Sequence, residues 1–318
     1  MGFFMTTPLM MQIEVTQECP FSCPQCYNSC TVKSMPVDIV IRHINQAKEL
    51  GVKRIVLNGG EPLVYKHIET IIDYTLEHEL AVTFFTSGYG LSIDFIKKYA
   101  NKRIDIYISL NGSSLEINSK SRDGFSYAIE AMQSFRQLGV PYGITWVARA
   151  DNVMDFPNMY ALATKYSADV IAIIPNRPSN KDEIISEMGV EDYEFLKKSI
   201  LELRNGSVKI LIDACYGMLS MLIGQVASKF TGCYAGRFSF SVDVDSNYRP
   251  CTHIPTSENY STAHDYWLNS KILNNLRNSD NICIDCIHIL KCSPCPLMLT
   301  SNNCDDVKRC VLYQRTSD

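Results

Sequence analysis

The sequence predicts an α/β fold built on parallel strands, followed by a small cysteine-rich C-terminal domain. Between Met11 and about Asn205, six short β-rich segments alternate with six amphipathic helical segments. Strand–helix units in succession form parallel strands that are joined by right-handed crossovers. From Gly232 onward the composition shifts to Cys, Asn, Ser and Pro, with few large apolar residues. Such a segment needs metal centres to hold it together. The alternation alone fits both a doubly wound sheet and a barrel.

Each element follows from local periodicity. Short runs rich in β-branched and aromatic residues predict strands at Gln12–Thr16, Arg54–Asn58, Ala81–Thr86, Ile104–Leu110, Gly143–Ala148 and Val170–Ile174. Apolar residues at helical spacing, such as Ile72, Leu76 and Leu80, predict helices at Val37–Leu50, Ile68–Glu79, Ile93–Tyr99, Tyr127–Leu138, Phe156–Tyr166 and Glu191–Arg204. We therefore expect a barrel-like domain at residues 1–205, a bridging segment at 206–230 with a strand or helix over 210–226, and the cysteine-rich domain at 231–318.

Composition excludes several classes of protein. Hydrophobic residues make up 46% and charged residues 20% of the 318 residues, which is enough apolar material for a large core. A net charge of −4 gives no overall attraction to nucleic acid or anionic lipid. No apolar run reaches the ~18 residues of a spanning helix, and the N-terminus lacks the basic region of a signal peptide. We expect a cytoplasmic protein with no nucleic-acid or membrane partner.

Thirteen cysteines are the most informative feature of the chain. An odd number in a chain without a signal peptide makes a poor disulfide framework. The cysteines also fall into two groups, whereas core thiols would be scattered. The first group is Cys19, Cys23, Cys26 and Cys30, and the second is Cys215, Cys233, Cys251, Cys283, Cys286, Cys292, Cys295, Cys304 and Cys310.

The first group contains the spacing CxxxCxxC, at Cys19, Cys23 and Cys26. It follows the first strand, at the edge of the sheet where barrel enzymes place reacting groups. Three thiolates on one loop can hold three irons of a [4Fe–4S] cluster and leave the fourth iron open. The alternatives are core cysteines or a structural zinc site, which would need Cys30 as its fourth ligand.

The loop after the second strand reads Leu57-Asn58-Gly59-Gly60-Glu61-Pro62. Two glycines allow a backbone to approach a ligand closely, and Glu61 offers an acceptor for a cationic amine. An ordinary turn would explain this loop by itself. Its combination with the cysteine loop is specific.

Together, these two loops make the sequence resemble the radical S-adenosylmethionine (SAM) enzymes. The resemblance favours a partial (β/α)6 TIM-like barrel, followed by a small, cluster-stapled C-terminal domain. It implies that the open iron chelates SAM, and that one electron cleaves SAM to methionine and a 5′-deoxyadenosyl radical. The protein's part is then to position and shield that chemistry.

The same resemblance implies further contacts with SAM. Ser87 belongs to Thr-Ser-Gly at the end of the third strand. Ser109 and Asn111, after the fourth strand, are candidates for the ribose and carboxylate of SAM, with an amide in place of the family's usual acid. Arg149, after the fifth strand, is a candidate partner for the methionine carboxylate. With Gly59, Gly60 and Glu61 these are the expected cofactor-binding residues.

The C-terminal cysteines resemble a SPASM domain, which typically carries two auxiliary [4Fe–4S] clusters. By that resemblance Cys233, Cys251 and Cys295 hold the nearer cluster. The farther cluster takes Cys283, Cys286, Cys292 and Cys310, with Cys304 as a competitor for the last position. The fourth ligand of the nearer cluster stays open between Cys215 and a substrate thiolate. A helix with Trp267, Ser270, Leu273, Leu276 and Arg277 also matches. Zinc knuckles are the alternative for this region.

SPASM proteins mostly modify ribosomally made peptides. This implies a precursor peptide as substrate, a thioether or side-chain crosslink as product, and flavodoxin or ferredoxin as electron donor. The 18 residues before Cys19 are too few for a peptide-recognition domain, so a separate leader-binding protein or the barrel itself would bind the peptide. His253 is a candidate base, although an ordinary surface histidine explains it as well. Alternatives are a peptide epimerase, a formylglycine-forming maturase, an enzyme acting on a small molecule or tetrapyrrole, and a non-catalytic electron carrier.

Overall fold

A computed structural model describes residues 5–177, 186–224, 231–278, 292–293 and 295–298. Across this part of the chain, no helix has the length and apolar character needed to cross a membrane.

The predicted strand–helix units are confirmed, with ends that differ by at most a few residues. The strands are β1 (Met10–Thr16), β2 (Arg54–Gly59), β3 (Ala81–Thr86), β4 (Ile104–Ser109), β5 (Gly143–Ala148) and β6 (Val170–Pro175). The helices are α1 (Val37–Glu49), α2 (Ile68–Glu77), α3 (Ile93–Tyr99), α4 (Leu115–Ser119), α5 (Phe125–Leu138), α6 (Phe156–Lys165) and α7 (Val190–Leu203). Of these, only α4 was not predicted.

The bridging segment contains both a strand and a helix. These are β7 (Lys209–Ile212) and α8 (Gly217–Leu222), with a short 3-10 helix between them at Ala214–Tyr216. After them come β8 (Thr231–Gly232), β9 (Ser239–Val242), β10 (Tyr248–Arg249), α9 (Ala263–Asn269), α10 (Lys271–Asn278) and β11 (Cys292–Ser293). A last 3-10 helix covers Pro296–Met298.

One nine-stranded sheet organises the fold, in the order β10-β9-β1-β2-β3-β4-β5-β6-β7. All neighbours are parallel except β10, which runs antiparallel to β9. Within the described ranges its two edges, β10 and β7, do not pair with each other, as expected for a partial barrel. The sheet crosses both of the expected domain boundaries, and those boundaries stay a prediction.

Helices cover the sheet through the apolar stripes that the sequence predicted. Ile72 of α2 is buried and Leu76 packs against the same core, whereas Leu80 is buried just beyond the helix, which ends at Glu77. Local caps set the helix ends: Ser92 accepts a hydrogen bond from the Phe95 amide at the start of α3, and Gly139 takes a left-handed conformation at the end of α5.

The C-terminal helices pack beside β9, where the ring of Trp267 lies 5.7 Å from that of Phe240. Trp267 is fully buried, and its Nε1 donates to the carbonyls of Met5 (3.2 Å) and Thr6 (3.1 Å). The guanidinium of Arg277 lies 4.4 Å from the Trp267 ring, and its Nε donates to the Gly236 carbonyl at 2.6 Å. Cys283, Cys286, Cys304 and Cys310 lie outside the described residues, as does the side chain of Cys292.

Candidate functional site

The CxxxCxxC loop leaves β1 at the carboxyl end of the parallel sheet. The β1–β2 register shifts between Glu14 and Thr16, so the strand bends just before the loop begins. The Asp123 carboxylate accepts from the Ser22 amide at 3.1 Å, and the Ser121 carbonyl accepts from the Gln25 amide at 3.4 Å. The loop is therefore held by the segment between α4 and α5, about 100 residues away in the sequence.

Aromatic packing anchors the same loop. The Phe21 ring lies 5.9 Å from the ring of Tyr89 and 5.8 Å from that of Tyr127, measured between centroids. Such edge and tilted contacts add stability beyond the area that they bury. Phe21 thus fixes the short segment between Cys19 and Cys23.

Each of the three thiols receives a backbone N–H. Cys23 Sγ accepts from the Asp123 amide at 3.4 Å, and Cys26 Sγ accepts from the Asn28 amide at 3.4 Å. Cys19 accepts from the amide of Phe21. N–H donors directed at sulfur stabilise a thiolate and tune a cluster bound to it.

Without a metal, burial governs the ionisation of Cys19. Burial, with an added contribution from the negative charge of Glu61, raises the pKa of Cys19 to about 12. A bound cation reverses this preference, because a coordinating thiol is deprotonated. Cys19 is therefore suited to bind a metal centre and poorly suited to act as a free nucleophile.

The glycine pair lets the cysteine loop approach the β2 loop. A Cβ at Gly59 would lie 2.0 Å from the Thr16 carbonyl oxygen, and one at Gly60 would lie 2.0 Å from that of Glu18. The Gly60 amide donates to Thr16 at 2.7 Å. The backbone that approaches this glycine pair in the structure is that of the cysteine loop. Direct contact of Gly59 or Gly60 with a cofactor stays a prediction.

Glu61 is buried and its carboxylate is fully engaged. One oxygen accepts from the Leu63 amide (3.2 Å) and the Thr86 hydroxyl (2.7 Å). The other accepts from the amide (2.7 Å) and the hydroxyl (2.5 Å) of Ser87. Burial raises the pKa of Glu61, and these hydrogen bonds oppose that effect. The structure thus brings Glu61 and Ser87 together, and the carboxylate ties the ends of β2 and β3 to each other. Their contact with a cofactor stays a prediction.

Ser109 and Asn111 lie at the end of β4, and both are buried. Asn111 Nδ2 donates to Ser121 Oγ at 2.9 Å, and its Oδ1 accepts from the Val147 amide at 3.2 Å. The amide of Asn111 therefore ties β4 to its neighbours. The hydroxyl of Ser109 accepts from that of Thr145 at 3.3 Å, so its own proton can still be donated.

Arg149 is 3% exposed and lies just after β5. Its Nε and Nη2 donate to the two carboxylate oxygens of Asp151, at 3.1 and 3.2 Å. This two-pronged pairing uses the geometry by which an arginine recognises a carboxylate. A role of Arg149 in binding the methionine carboxylate stays a prediction, and it requires Asp151 to share the guanidinium.

A second group of thiols lies near the ends of β6 and β7. Cys215 Sγ is 4.0 Å from Cys233 Sγ, and hydrogen bonds with Cys215 and Cys295 raise the pKa of Cys233. Cys251 is close enough to Cys295 to feel its charge. The structure therefore brings Cys215, the ligand candidate that the sequence left open, into the same group as Cys233, Cys251 and Cys295.

This second group repeats the N–H to sulfur pattern of the first. Cys251 accepts from the amides of His253 and Ile254, and Cys295 accepts from that of Leu297. In both groups the donor often stands two residues after the cysteine, as in Cys19–Phe21 and Cys26–Asn28. No set of three or more His, Cys, Asp or Glu side chains in the described ranges surrounds the position of a single metal ion. A cubane cluster instead presents a separate iron to each thiolate.

His253 is packed between the two groups. Its ring lies 4.4 Å from that of Tyr27, which follows Cys26, and its Nε2 lies 3.1 Å from Nη1 of Arg177. A guanidinium can only donate, so Nε2 accepts and Nδ1 carries the proton. Burial, followed by the charge of Arg177, lowers the pKa of His253 well below its usual value. In this arrangement the lone pair of His253 is already used, and its role as a base stays a prediction without support from the geometry.

Some residues of the site had no sequence signal specific enough to find them. Asp123 holds the cysteine loop, and Arg177 and Asp213 pair beside Cys215 at 3.3 Å. Their partners are 101 and 36 residues away in the sequence. Tyr27 is next to Cys26, but only its contact with His253 shows that it joins the two cysteine groups.

The comparison with protein families decides the class of the first domain. The model of the radical SAM superfamily matches residues 13–163. Residues 13–163 are a radical SAM domain. The match begins in β1 and ends in α6, so it covers the cysteine loop and all the expected cofactor-binding residues.

Relatives of the radical SAM domain include a protein named as a peptide cyclase and one named as a maturase. PqqA peptide cyclase of Granulibacter bethesdensis is 25% identical over 170 residues, which are 51% of this chain and 45% of that protein. Mycofactocin maturase MftC of Mycobacterium tuberculosis is 24% identical over 309 residues, which are 90% of this chain and 77% of MftC. The first match thus spans about half of this chain and under half of that relative.

Solved structures share the fold. Streptococcus suis SuiB, bound to its precursor peptide SuiA, superposes with a TM-score of 0.78 at 16% identity, over 94% of this chain and 74% of SuiB. Native anSMEcpe with bound AdoMet, which is SAM, superposes with a TM-score of 0.75 at 17% identity, over 98% of both chains. The radical SAM fold therefore extends past the matched domain to most of the chain.

The residues present fit an iron–sulfur cluster in the radical SAM domain. Soft thiolates with directed N–H donors are the ligands that such clusters take. Two buried polar atoms of the loop, Gln25 Oε1 and Asn28 Nδ2, have no hydrogen-bond partner among the described residues. A buried polar atom is costly unless it is paired, so these atoms are suited to a bound group.

Proposed function

We propose that this chain is a radical SAM peptide maturase that oxidatively modifies a ribosomally made peptide. The observation that carries the proposal is a pair of thiol groups, each with N–H donors directed at sulfur. The two groups are connected by the contact of Tyr27 with His253, whose ring centroids lie 4.4 Å apart. One group lies on the loop of the radical SAM domain that binds a cluster in this family. A carrier of electrons alone would need no second loop of the Gly59-Gly60-Glu61 type. The names of PqqA peptide cyclase and the precursor-peptide complex of SuiB support a peptide substrate.

Cys19, Cys23 and Cys26 would hold three irons of the first cluster. When bound, this cluster supplies the electron that cleaves SAM to methionine and a 5′-deoxyadenosyl radical. The protein would hold the thiolates through its N–H donors, and Phe21 would keep the loop in place through its ring contacts with Tyr89 and Tyr127. Ser109 is suited to donate to the ribose, because its hydroxyl proton remains to be shared. Glu61 keeps the Ser87 amide and hydroxyl in place at the edge of the site.

Two auxiliary clusters complete the proposed cofactor set. The nearer one would take Cys233, Cys251 and Cys295, with Cys215 as fourth ligand because its sulfur lies 4.0 Å from that of Cys233. The farther one would take Cys283, Cys286, Cys292 and Cys310, in the order that the sequence resemblance implies. Oxidation of a peptide releases a second electron after hydrogen abstraction, and these clusters are suited to accept it. A thioether or side-chain crosslink is the proposed product.

The partners of the reaction follow from this chemistry. The first cluster needs a low-potential reductant, for which flavodoxin or ferredoxin is suited. The second partner is the precursor peptide, delivered directly or by a separate leader-binding protein.

Metal content and SAM cleavage test the proposed cofactors. After anaerobic reconstitution we expect about twelve irons per chain, and 5′-deoxyadenosine after addition of SAM and dithionite. Replacing Cys19, Cys23 and Cys26 together by Ala should remove about four irons and all SAM cleavage. Zinc in place of iron, without cleavage, would refute the proposal.

Cys30→Ala is the matched control within the same loop. Cys30 bonds to the carbonyl of Asn28 and adopts a positive φ of 52°, outside the CxxxCxxC spacing. A [4Fe–4S] cluster on three cysteines should survive this change with its SAM cleavage intact. A four-cysteine zinc site would lose its metal, so this variant separates the two interpretations.

The peptide substrate needs its own test. Peptides translated from short reading frames beside the gene are incubated with the reconstituted chain, SAM and reductant, and are analysed by mass spectrometry. A crosslink removes two hydrogen atoms, and tandem spectra locate it. SAM cleavage that changes none of these peptides would contradict the peptide assignment while leaving the cluster assignment in place.

A further inference from the structure

Arg177 is a nearly buried cation that lies against the second thiol group. It stands two residues after β6, and its side chain is 12% exposed. Nη2 donates to Asp213 Oδ1 at 3.3 Å, and Nη1 donates to His253 Nε2 at 3.1 Å. The guanidinium therefore joins two segments that each carry a cysteine.

The Asp213 side of this arrangement positions Cys215. Asp213 directly follows β7 and caps the short 3-10 helix at Ala214–Tyr216, since its Oδ1 also accepts from the Cys215 amide at 2.9 Å. One carboxylate oxygen thus receives both the guanidinium and the backbone of Cys215. Moving Arg177 would loosen the turn that places the Cys215 sulfur 4.0 Å from that of Cys233.

The His253 side reaches Cys251. The His253 amide donates to the Cys251 sulfur, while its ring accepts from Arg177. His253 is neutral in this arrangement, because its Nε2 accepts from the guanidinium of Arg177 and therefore carries no proton. The positive charge at this place is therefore that of Arg177.

The charge of Arg177 is paired on one side only. Its guanidinium donates to the Asp213 carboxylate at 3.3 Å and to the neutral ring of His253 on the other side. Buried charges are tolerated when they are paired and hydrogen-bonded. Four thiolates and their cluster are an anion, and reduction by one electron makes that anion more negative. A fixed cation nearby stabilises the reduced form more than the oxidised form.

We propose that Arg177 is a positioning residue that holds the nearer auxiliary cluster, set by Cys215, Cys233, Cys251 and Cys295, and raises its reduction potential through its permanent charge. This inference rests on the proposed function, because it requires that cluster to be present. It gives Arg177, which stands two residues after β6, a role at the auxiliary cluster.

The test is a redox titration of the reconstituted chain, followed by electron paramagnetic resonance at stepwise potentials. The variant without Cys19, Cys23 and Cys26 is titrated alongside, so that the signal of the SAM cluster can be subtracted. In Arg177→Gln, the equilibrium constant for one-electron reduction of the nearer auxiliary cluster should fall at least tenfold. This corresponds to a reduction potential that is lower by about 59 mV. Arg177→Lys keeps the charge and should change this equilibrium less than threefold.

A matched control removes an arginine charge elsewhere. Arg54 pairs with Asp105 at the opposite end of the sheet, where β2 begins, so Arg54→Gln should leave all potentials unchanged. An unchanged potential in Arg177→Gln with full iron content would overturn the inference.

Loss of the cluster is also informative. If Arg177→Gln loses about four irons and Arg177→Lys keeps them, the charge is required to hold the site. If both variants lose iron equally, Arg177 acts through packing alone and the inference is wrong. The wild-type iron count is measured first: a chain without auxiliary iron refutes the proposed function, before any variant is compared.

Discussion

Gly60→Ala should detach the cysteine loop from the β2 loop and abolish the SAM cluster. The added Cβ would lie 2.0 Å from the Glu18 carbonyl oxygen, whereas Cβ contacts below 3.0 Å essentially do not occur. The obstacle is backbone, so no side chain can rotate away. One of the two loops must therefore move by about 1 Å or more.

The size of the effect follows from what that movement breaks. The Gly60 amide bonds to Thr16 at 2.7 Å, and the Glu61 amide bonds to Glu18 at 2.8 Å. Losing both backbone bonds costs ~2 kcal/mol, and overpacking adds ~1–3 kcal/mol. This destabilisation falls on the loop that carries Cys19, while the second thiol group is held by other elements.

The assay is iron and sulfide per chain after anaerobic reconstitution, together with 5′-deoxyadenosine formation. We expect about four fewer irons, no SAM cleavage, and auxiliary-cluster absorbance that persists. Gly189→Ala is the matched control, because Gly189 has a φ of −84° and its nearest neighbour to an added Cβ is 3.9 Å away. A Gly60→Ala protein with full iron content and full SAM cleavage would refute the reasoning.

Two further changes test buried polar groups. Glu61→Gln places an amide NH₂ against donors such as the Ser87 hydroxyl. This should decrease the free energy of unfolding by ~2–3 kcal/mol and lower the thermal midpoint. An unchanged midpoint would mean that the hydrogen bonds of Glu61 contribute nothing net to stability. His43 lies 2.7 Å from Ser246 Oγ, and burial, followed by the charge of Arg42, lowers its pKa from 6.5 to about 4. The folded protein keeps His43 neutral, whereas the unfolded chain protonates it below pH 6.5, so stability is complete above pH 6.5 and is lost as the pH falls towards 4. Lowering the pH from 7 to 5 should therefore decrease the free energy of unfolding by ~2 kcal/mol. That corresponds to about 4 °C in thermal midpoint. His43→Gln should remove that part of the pH dependence, and equal losses in both proteins would contradict the assignment.

The fold was largely predictable because its periodicity is local. Ala81–Thr86 and Gly143–Ala148 were predicted with the bounds that the structure shows, since each is a short apolar run between turn signals. Helix α4 was missed because five residues are too few to show a helical period. Strand β9 was missed for a different reason: its pairing with β1 is remote in sequence, and four residues carry little pattern of their own.

The site was predictable as a set of motifs and unpredictable as a set of contacts. CxxxCxxC and Gly-Gly-Glu-Pro are contiguous, so the sequence locates them directly. The engagement of Asn111 with Ser121 and Val147 depends on three chain segments that meet only in the fold. Arg149 is a case where a local signal existed, because its partner Asp151 stands two residues later. An acid at that distance indicates a structural pair as readily as a ligand site.

The pairing of β9 with β1 explains how cysteines from the two ends of the sequence come together. Ile13 and Val242 are partners in that register, so the chain that leads to Cys251 runs beside the strand that leads to Cys19. The contact of Tyr27 with His253 is the consequence at the level of side chains. An electron can pass between two centres only when the fold keeps them close. The pairing of β9 with β1 is therefore as much a part of the proposed chemistry as the thiols are, because it gives the second thiol group a fixed place beside the first.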